Sequence, residues 1–519
     1  MLIKDQLYAL QSLEYGPGRF LKWVIKNPLK FNLEKKKKLV YTGKARTLLF
    51  ISALIPLVLV VIMRTSAVWV LAGLTASLLA PWLYLIGALL IIKLYEIPNR
   101  IKTINDARKI LSQNPNLVVI AVTGSYGKTT VKEMLKAILS KKYKVLSTPK
   151  SFNTLFGISQ TIKDQLKPEH EIFVVEMGAY QKGEIAELCR MVKPKIGILT
   201  GISNQHLERF GTEENVTAAK YELIESLPDD GLAVFNLYSK PCCDLYQKTT
   251  TVKIGYSRIE NPHGIVPDLW AQITNSSTFS SEFKIFQKDQ LSARSPKGLP
   301  QSPTVREGRL ILQEILTENF TLNIPAEHNI SNALAAISVA LYLNLDSDSI
   351  RQTFAEIKTP EHRLQIITNP DGTVIVDDAY SSNTDGARAA VNLVKKFTNK
   401  PKIIVTPGLV ELGKAQFEEN KNFGKLIAEN FDYAIIVNKT NRQSLLSGLK
   451  ESGWVEESTS SKEKTSSSVF APIASKTLED KKLIFTADNL EKATKEIIPH
   501  LVKPGSLILF ENDLPDIYE

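Results

Sequence analysis

Cysteine is scarce in this 519-residue chain, which has only Cys189, Cys242 and Cys243, none of them in a C-x-x-C pair. Two of the three are sequence neighbours, awkward partners for each other, so neither a zinc site nor a disulfide framework is supported. A reduced cytosolic compartment fits this usage. No internal repeat is visible. Charge is missing in one informative place. Residues 65–92 contain no Asp, Glu, Lys or Arg, and residues 48–63 are apolar except for Ser52 and Pro56. Buried helices of soluble proteins rarely run that far without charge, so membrane insertion is the better reading. A signal peptide is a poor alternative, because the apolar run begins some 47 residues into the chain.

Basic residues surround this gap. The formal net charge is +10, and residues 1–47 alone hold eleven Lys or Arg, including the run at 35–38. Such a run could serve nucleic acid, but its apolar neighbour points to a membrane surface, and no nucleic-acid partner is expected. Lys93, Arg100, Lys102, Arg108 and Lys109 follow the charge-free stretch, and only Arg64 lies between the two apolar stretches. The positive-inside rule then predicts a two-span hairpin, about 48–63 and 66–92, with both ends cytoplasmic. The first span is short, and Pro81 is placed to kink the second.

The clearest chemical signal is "AVTGSYGKTT" at 121–130. The apolar, β-branched run before it reads as a buried parallel strand. Gly124 and Gly127 permit a tight turn and close approach of backbone N–H groups to an anion. From Lys128 onward the apolar spacing is helical, so the loop opens a helix whose N-terminus favours phosphate. Lys128 would reach the outer phosphates and the Thr129 hydroxyl would ligate Mg²⁺. Val122 stands where the general phosphate-loop pattern has its first glycine, so this is a shortened G-x-x-G-K-T variant.

After a short connecting helix near 102–113, strand-like and helix-like stretches alternate, as in a doubly wound α/β domain. Residues 255–325 change to Ser, Thr, Pro and short β-prone pieces, read as an inserted β-rich part. A helix is expected over 327–345. A second alternating series starts near 358, interrupted by a Ser-rich surface loop at 456–476. Glu176 and His206 both follow predicted strands. Ligands of parallel sheets gather at the carboxyl ends of strands, so both side chains could face the loop as Mg²⁺ ligands. Lys220 sits in an amphipathic helix, where a lysine would ordinarily be solvated.

Taken in order, "TGSYGKTT", "EMGA" (176–179), "NQHLERFGT" (204–212), "AAKYELIE" (218–225), "HNISNALAA" (328–336) and "DDAYSSN" (377–383) resemble the Mur ligases. The "TGS" form of the loop, "EMGA" and "ELG" (411–413) look most like the branch that adds D-alanyl-D-alanine to a UDP-N-acetylmuramoyl tripeptide. The resemblance covers residues 115–519. It implies an α/β fold with a central P-loop domain (114–357) and a Rossmann-like C-terminal domain (358–519); the basic segment and the hairpin read from charge and hydropathy (1–113) precede them. It also implies an ATP-dependent amide ligase of peptidoglycan precursor synthesis, working through an acyl phosphate, with two Mg²⁺ ions.

Carried over residue by residue, the resemblance gives Gly124, Ser125, Gly127, Lys128, Thr129 and Thr130 to the nucleotide phosphates. Asn329 matches an adenine-side position, Arg363 a phosphate-facing arginine and Asp378 an ATP contact. Thr129, Glu176, His206 and Lys220 match the metal set, with Lys220 at the position the family carbamylates. Asn153, Tyr380 and Asn383 match the substrate side. Two departures stand out. The family's "YNANP" reads "YSSNT" (380–384), which would alter how the dipeptide amine donor is held. Where the family usually has a globular uridine-binding domain, this sequence has the hairpin and about twenty connecting residues. The muropeptide could therefore be UDP-linked or lipid-linked, with the enzyme a monomer at the cytoplasmic membrane and its catalytic domains in the cytosol. The competing reading is a silent ATP-binding membrane scaffold, which would need none of the metal set.

Overall fold

The computed structural model describes residues 2–12, 15–26, 39, 41–62, 81–149, 152–203, 210–287, 319–379, 384–410, 412–457 and 482–512. The chain divides between Asn105 and Asp106 into two compact units.

The first unit is helical: α1 (Leu2–Ser12), α2 (Pro17–Lys26), α3 (Gly43–Ile62) and most of α4 (Pro81–Ser112). Its small core joins Leu7 and Leu10 of α1 and Phe20 and Val24 of α2 to Leu48 of α3 and Leu85 and Leu89 of α4. A Lys44–Glu96 ion pair at 2.7 Å ties α3 to α4. Large apolar side chains remain exposed on both, among them Phe50, Leu57, Leu90 and Leu94. By length and composition, α4 is the one helix among the described residues able to cross a membrane. The connecting helix expected at 102–113 is the end of this 32-residue helix and not a separate element. Pro81 is its first residue, where a proline has no intrahelical bond to lose, so it introduces no kink. Of the span expected at 66–92, residues 66–80 lie outside the described residues.

In the second unit, nine strands form one sheet in the order β2-β3-β1-β4-β5-β6-β7-β8-β9. The strands are β1 (Val118–Thr123), β2 (Val145–Ser147), β3 (Ile172–Glu176), β4 (Ile196–Leu199), β5 (Leu232–Asn236), β6 (Lys253–Ser257), β7 (Leu269–Ser276), β8 (Ser281–Gln287) and β9 (Phe320–Leu322). Strands β1–β7 pair in parallel, and β8 and β9 add an antiparallel edge. The β-rich stretch expected as an insertion is therefore a continuation of the same sheet. Val, Ile and Phe fill the buried strands, and their side chains alternate between two cores, one on each face. On one face lie α5 (Lys128–Leu139), α10 (His328–Tyr342) and α11 (Ser347–Glu356). The other carries α6 (Leu155–Gln165), α7 (Glu184–Val192), α8 (Glu213–Glu225) and α9 (Lys240–Lys248). Helix α10 is buried along nearly its whole length, which its small Ala and Ser residues allow.

A second, seven-stranded sheet runs β10-β11-β16-β12-β13-β15-β14. It comprises β10 (Gln365–Thr368), β11 (Val374–Asp378), β12 (Lys402–Thr406), β13 (Tyr433–Val437), β14 (Val455–Glu456), β15 (Leu483–Ala487) and β16 (Leu507–Glu511). All pairings but β10–β11 are parallel, and a core again lies on each face. Helices α12 (Thr384–Lys395), α13 (Gln416–Asn430) and α14 (Arg442–Glu451) cover one face, and the helical turns over Leu490–Leu501 cover the other. The Ser-rich segment is outside the described residues from 458 onward.

Candidate active site

The site is built on the carboxyl edge of the first sheet. Beyond β1 the chain turns through Gly124 and enters α5 from Gly127, which is left-handed at φ 77°. Only glycine takes that conformation at little cost, and a Cβ at Gly127 would also strike the Asn332 side chain. The loop is fastened from the side: Ser125 N donates to Gly201 O at 2.7 Å, and Ser203 N donates to Ser125 Oγ at 3.1 Å. Thr200 Oγ1 donates to the Tyr126 carbonyl.

Four of the residues expected at the site converge. The Thr129 hydroxyl donates to Glu176 Oε2 at 2.8 Å, and Asn153 Nδ2 donates to Glu176 Oε1 at 3.2 Å. Arg363 Nη2 reaches Thr129 Oγ1 at 3.5 Å from the chain leading into the second sheet. Glu176 is 2 % exposed, and its backbone N–H is held by Thr148 Oγ1 at 3.1 Å.

Two lysines share one acceptor. Lys128 Nζ lies 2.9 Å and Lys220 Nζ 3.1 Å from the Gly124 carbonyl. Burial lowers the pKa of both, and for Lys220 burial together with the neighbouring Lys128 charge brings it down to about 7. Lys220 is not the solvated helix lysine that its sequence context suggests.

The remaining expected residues occupy the periphery. Thr130 is buried in α5. Asn329 donates to the Pro325 carbonyl at 2.7 Å and accepts from Asn332 at 2.9 Å at the start of α10. Asp378, at the end of β11, accepts from Leu364 N at 3.1 Å, and burial holds its carboxyl well above the usual carboxylate range. His206, Tyr380 and Asn383 lie outside the described residues.

Sequence reasoning missed Lys132, which is fully buried beneath Glu176, and Tyr126, whose ring lies against Gly201. It also missed His362, whose Nδ1 lies 2.8 Å from Asp377 Oδ2 beside Arg363. Only the adjacency of His362 to Arg363 and of Asp377 to Asp378 could have flagged that last pair.

The arrangement suits a polyphosphate: a glycine turn, a helix N-terminus and the cations Lys128, Lys220 and Arg363 around one point. The Thr129 and Glu176 oxygens form an adjacent oxygen pair that fits a hard divalent cation. Among the described residues no cluster of three His, Cys, Asp or Glu could hold a metal.

Residues 122–340 match the Mur ligase middle domain, and residues 362–511 match the Mur ligase glutamate ligase domain. A UDP-N-acetylmuramoyl-tripeptide--D-alanyl-D-alanine ligase of Bacillus subtilis is 28 % identical over 312 residues, 60 % of each chain. The Escherichia coli protein of that name is 28 % identical over 295 residues, 57 % of this chain and 58 % of its own. The chain thus spans about three-fifths of these relatives' length. Among solved structures, MurF from Acinetobacter baumannii superimposes with a TM-score of 0.61 at 22 % identity, covering 80 % of this chain and 77 % of that one. MurF of Thermotoga maritima in complex with ADP gives 0.59 at 22 % identity, with 80 % of each chain covered. These likenesses establish the common fold. With both of its sheets matched in order and the phosphate loop at the head of the first, the chain belongs to the Mur ligase family.

Proposed function

We propose that this protein is an ATP-dependent amide ligase that joins D-alanyl-D-alanine to the tripeptide of a muramoyl-peptide precursor of peptidoglycan. The observation that carries this reading is the meeting of Thr129, Glu176, Asn153 and Arg363 at the mouth of a phosphate loop. The relatives quoted above bear the same activity in their names. In the reaction, an oxygen of the precursor carboxylate attacks the γ-phosphorus of ATP, giving an acyl phosphate and ADP. The dipeptide amine then attacks the acyl carbon, the new amide forms, and inorganic phosphate leaves with the activating oxygen.

This chain's residues supply positioning and charge. The loop and the α5 N-terminus cradle the phosphates. Lys128 and Arg363 face the transferring group, Asn329 the adenine and Asp378 the nucleotide from the second sheet, while Asn153 lies on the precursor side. Mg²⁺, held by Thr129 and Glu176, would neutralise charge between carboxylate and phosphate. A second ion would use Glu176, His206 and a carbamylated Lys220. An amine titrating near neutrality is a competent nucleophile for carbon dioxide, which supports that assignment. Tyr380 and Asn383 would hold the dipeptide.

The helical first unit, with its exposed apolar side chains, favours a second form of the reading: a monomer at the cytoplasmic membrane whose precursor is lipid-linked and not UDP-linked. The test is phosphate release from ATP with D-alanyl-D-alanine, given UDP-N-acetylmuramoyl tripeptide in one arm and its lipid-linked counterpart in the other. Release in the first arm supports the nucleotide-linked form, and release in the second alone supports the lipid-linked form. Release in neither, with ATP still bound, would leave the scaffold reading standing.

A further inference from the structure

Lys132 is a buried charge that the proposed reaction does not use. It sits on α5 three residues after Thr129 and so on the same helical face. Its side chain is wholly buried, yet it lies near a helix N-terminus, where the backbone dipole disfavours a cation. Burying a lysine there is costly unless its partners repay the lost hydration. Those partners are specific. The ammonium donates to the Thr148 carbonyl, at the end of β2, at 2.7 Å, and lies 3.1 Å from Glu133 Oε1 and 4.0 Å from Glu176 Oε2. The same Oε2 receives the Thr129 hydroxyl. The carboxylate best placed to take a divalent ion therefore already has a fixed cation behind it, in a place closed to water.

We infer that Lys132 is an internal counter-cation for Glu176, which stands in for a divalent ion at that carboxylate and makes ion uptake depend on nucleotide. This rests on the ligase reading, since that reading brings the ion and the nucleotide to Glu176. Like charges a few ångströms apart in a poorly solvated corner repel strongly. With Lys128 and Arg363 also close to the loop, an ion meets net positive charge until the phosphates of a nucleotide arrive. Lys132 is a positioning residue in this account, because it acts through Glu176.

The experiment is Mn²⁺ titration of the full chain, read by electron paramagnetic resonance with saturating ADP, and binding of a fluorescent ADP analogue in metal-free buffer. Lys132→Met is expected to lower the half-saturating Mn²⁺ concentration at least fivefold, while Lys132→Arg stays within twofold of the parent. An unchanged or raised value for Lys132→Met overturns the inference, because a mere strut would loosen the ion site or leave it alone. Should Lys132→Met fail to fold, Glu133→Gln decides. Glu133 is 40 % exposed, and removing its charge takes away one of the two carboxylates that the ammonium faces, so Glu176 draws it more strongly. The half-saturating Mn²⁺ concentration should then rise at least twofold, and no rise overturns the inference. A parent protein that binds no ADP analogue overturns the ligase reading along with it. One that binds the analogue but shows no response to either variant overturns the Lys132 role only.

Discussion

At the level of single residues, the two lysines on the Gly124 carbonyl should respond differently to removal. On the proposed reaction, Lys128→Ala removes a cation from the transferring phosphoryl group. It should raise the barrier by about 3 kcal/mol, roughly a hundredfold loss in ATP-driven phosphate release, with the circular-dichroism spectrum unchanged. Normal turnover in that variant would end the nucleotide role of the loop. Lys220 should show itself in stability against pH. Its amine titrates at about 7 in the folded chain, well below an ordinary lysine. Above that point the unfolded chain binds the extra proton, so stability rises with pH until the unfolded lysine also deprotonates. Below about 7 both states are protonated and the full penalty of the buried charge remains. Urea unfolding between pH 7 and 9, in buffer free of carbon dioxide and metal so that the amine is unmodified, should therefore show a rising contribution in the parent that Lys220→Met flattens. Equal slopes in the two proteins would refute the buried-amine assignment. Both lysines could be picked out in sequence, Lys128 from its motif and Lys220 by family likeness. Lys132 could not, because a lysine in an amphipathic helix reads as solvated. Its burial is decided by where β2 and β3 end, which the spacing within α5 does not encode.

Among the elements, the phosphate loop depends on its neighbour after β4. A Cβ at Gly201 would overlap the Tyr126 ring, and Thr200 holds the Tyr126 backbone in place through its carbonyl. Gly201→Ala should cost about 1–3 kcal/mol in urea unfolding and weaken ADP binding in the same variant. Pairing it with Tyr126→Ala should recover only the share of the loss due to the ring, since a Cβ at φ 154° stays strained, and no recovery at all would show the clash lies elsewhere. The central strands of both sheets were legible because short β-branched runs bounded by turns repeat along the chain, and the loop was legible because its glycines and Lys128 stand between a strand and a helix. The fate of residues 255–325 was not. Ser and Thr among short β-prone pieces specify strands without saying which edge they join, and it is register with β6 that makes β7–β9 part of the first sheet. The continuity of α4 was hidden for a similar reason, since Pro98 within it reads as a break and yet is accommodated.

For the whole molecule, the apolar exposure of the first unit predicts behaviour in a cell fraction. Phe50, Leu57, Leu90 and Leu94 face outward, and basic residues flank the apolar segment at each end. Basic side chains near an anionic bilayer add roughly 1 kcal/mol each, and this contribution is screened by salt, whereas buried apolar helices are not released by it. The protein should stay with membranes through a high-salt wash and leave them only with detergent. Release by salt alone would reduce the first unit to a peripheral contact. Within the second unit, the chain that carries Arg363 is set in left-handed backbone at both neighbours, His362 at φ 58° and Leu364 at φ 53°. It is pinned to the second sheet through Asp377 and Asp378. Its guanidinium nevertheless reaches Thr129 in α5, the helix that packs on the first sheet. A nucleotide gripped by that arginine and by the loop would belong to both sheets at once. By reciprocity, whatever free energy the nucleotide gains from the second sheet is the free energy by which it cements the two sheets together. Affinity for nucleotide and cohesion of the protein are then one quantity, measured from opposite ends.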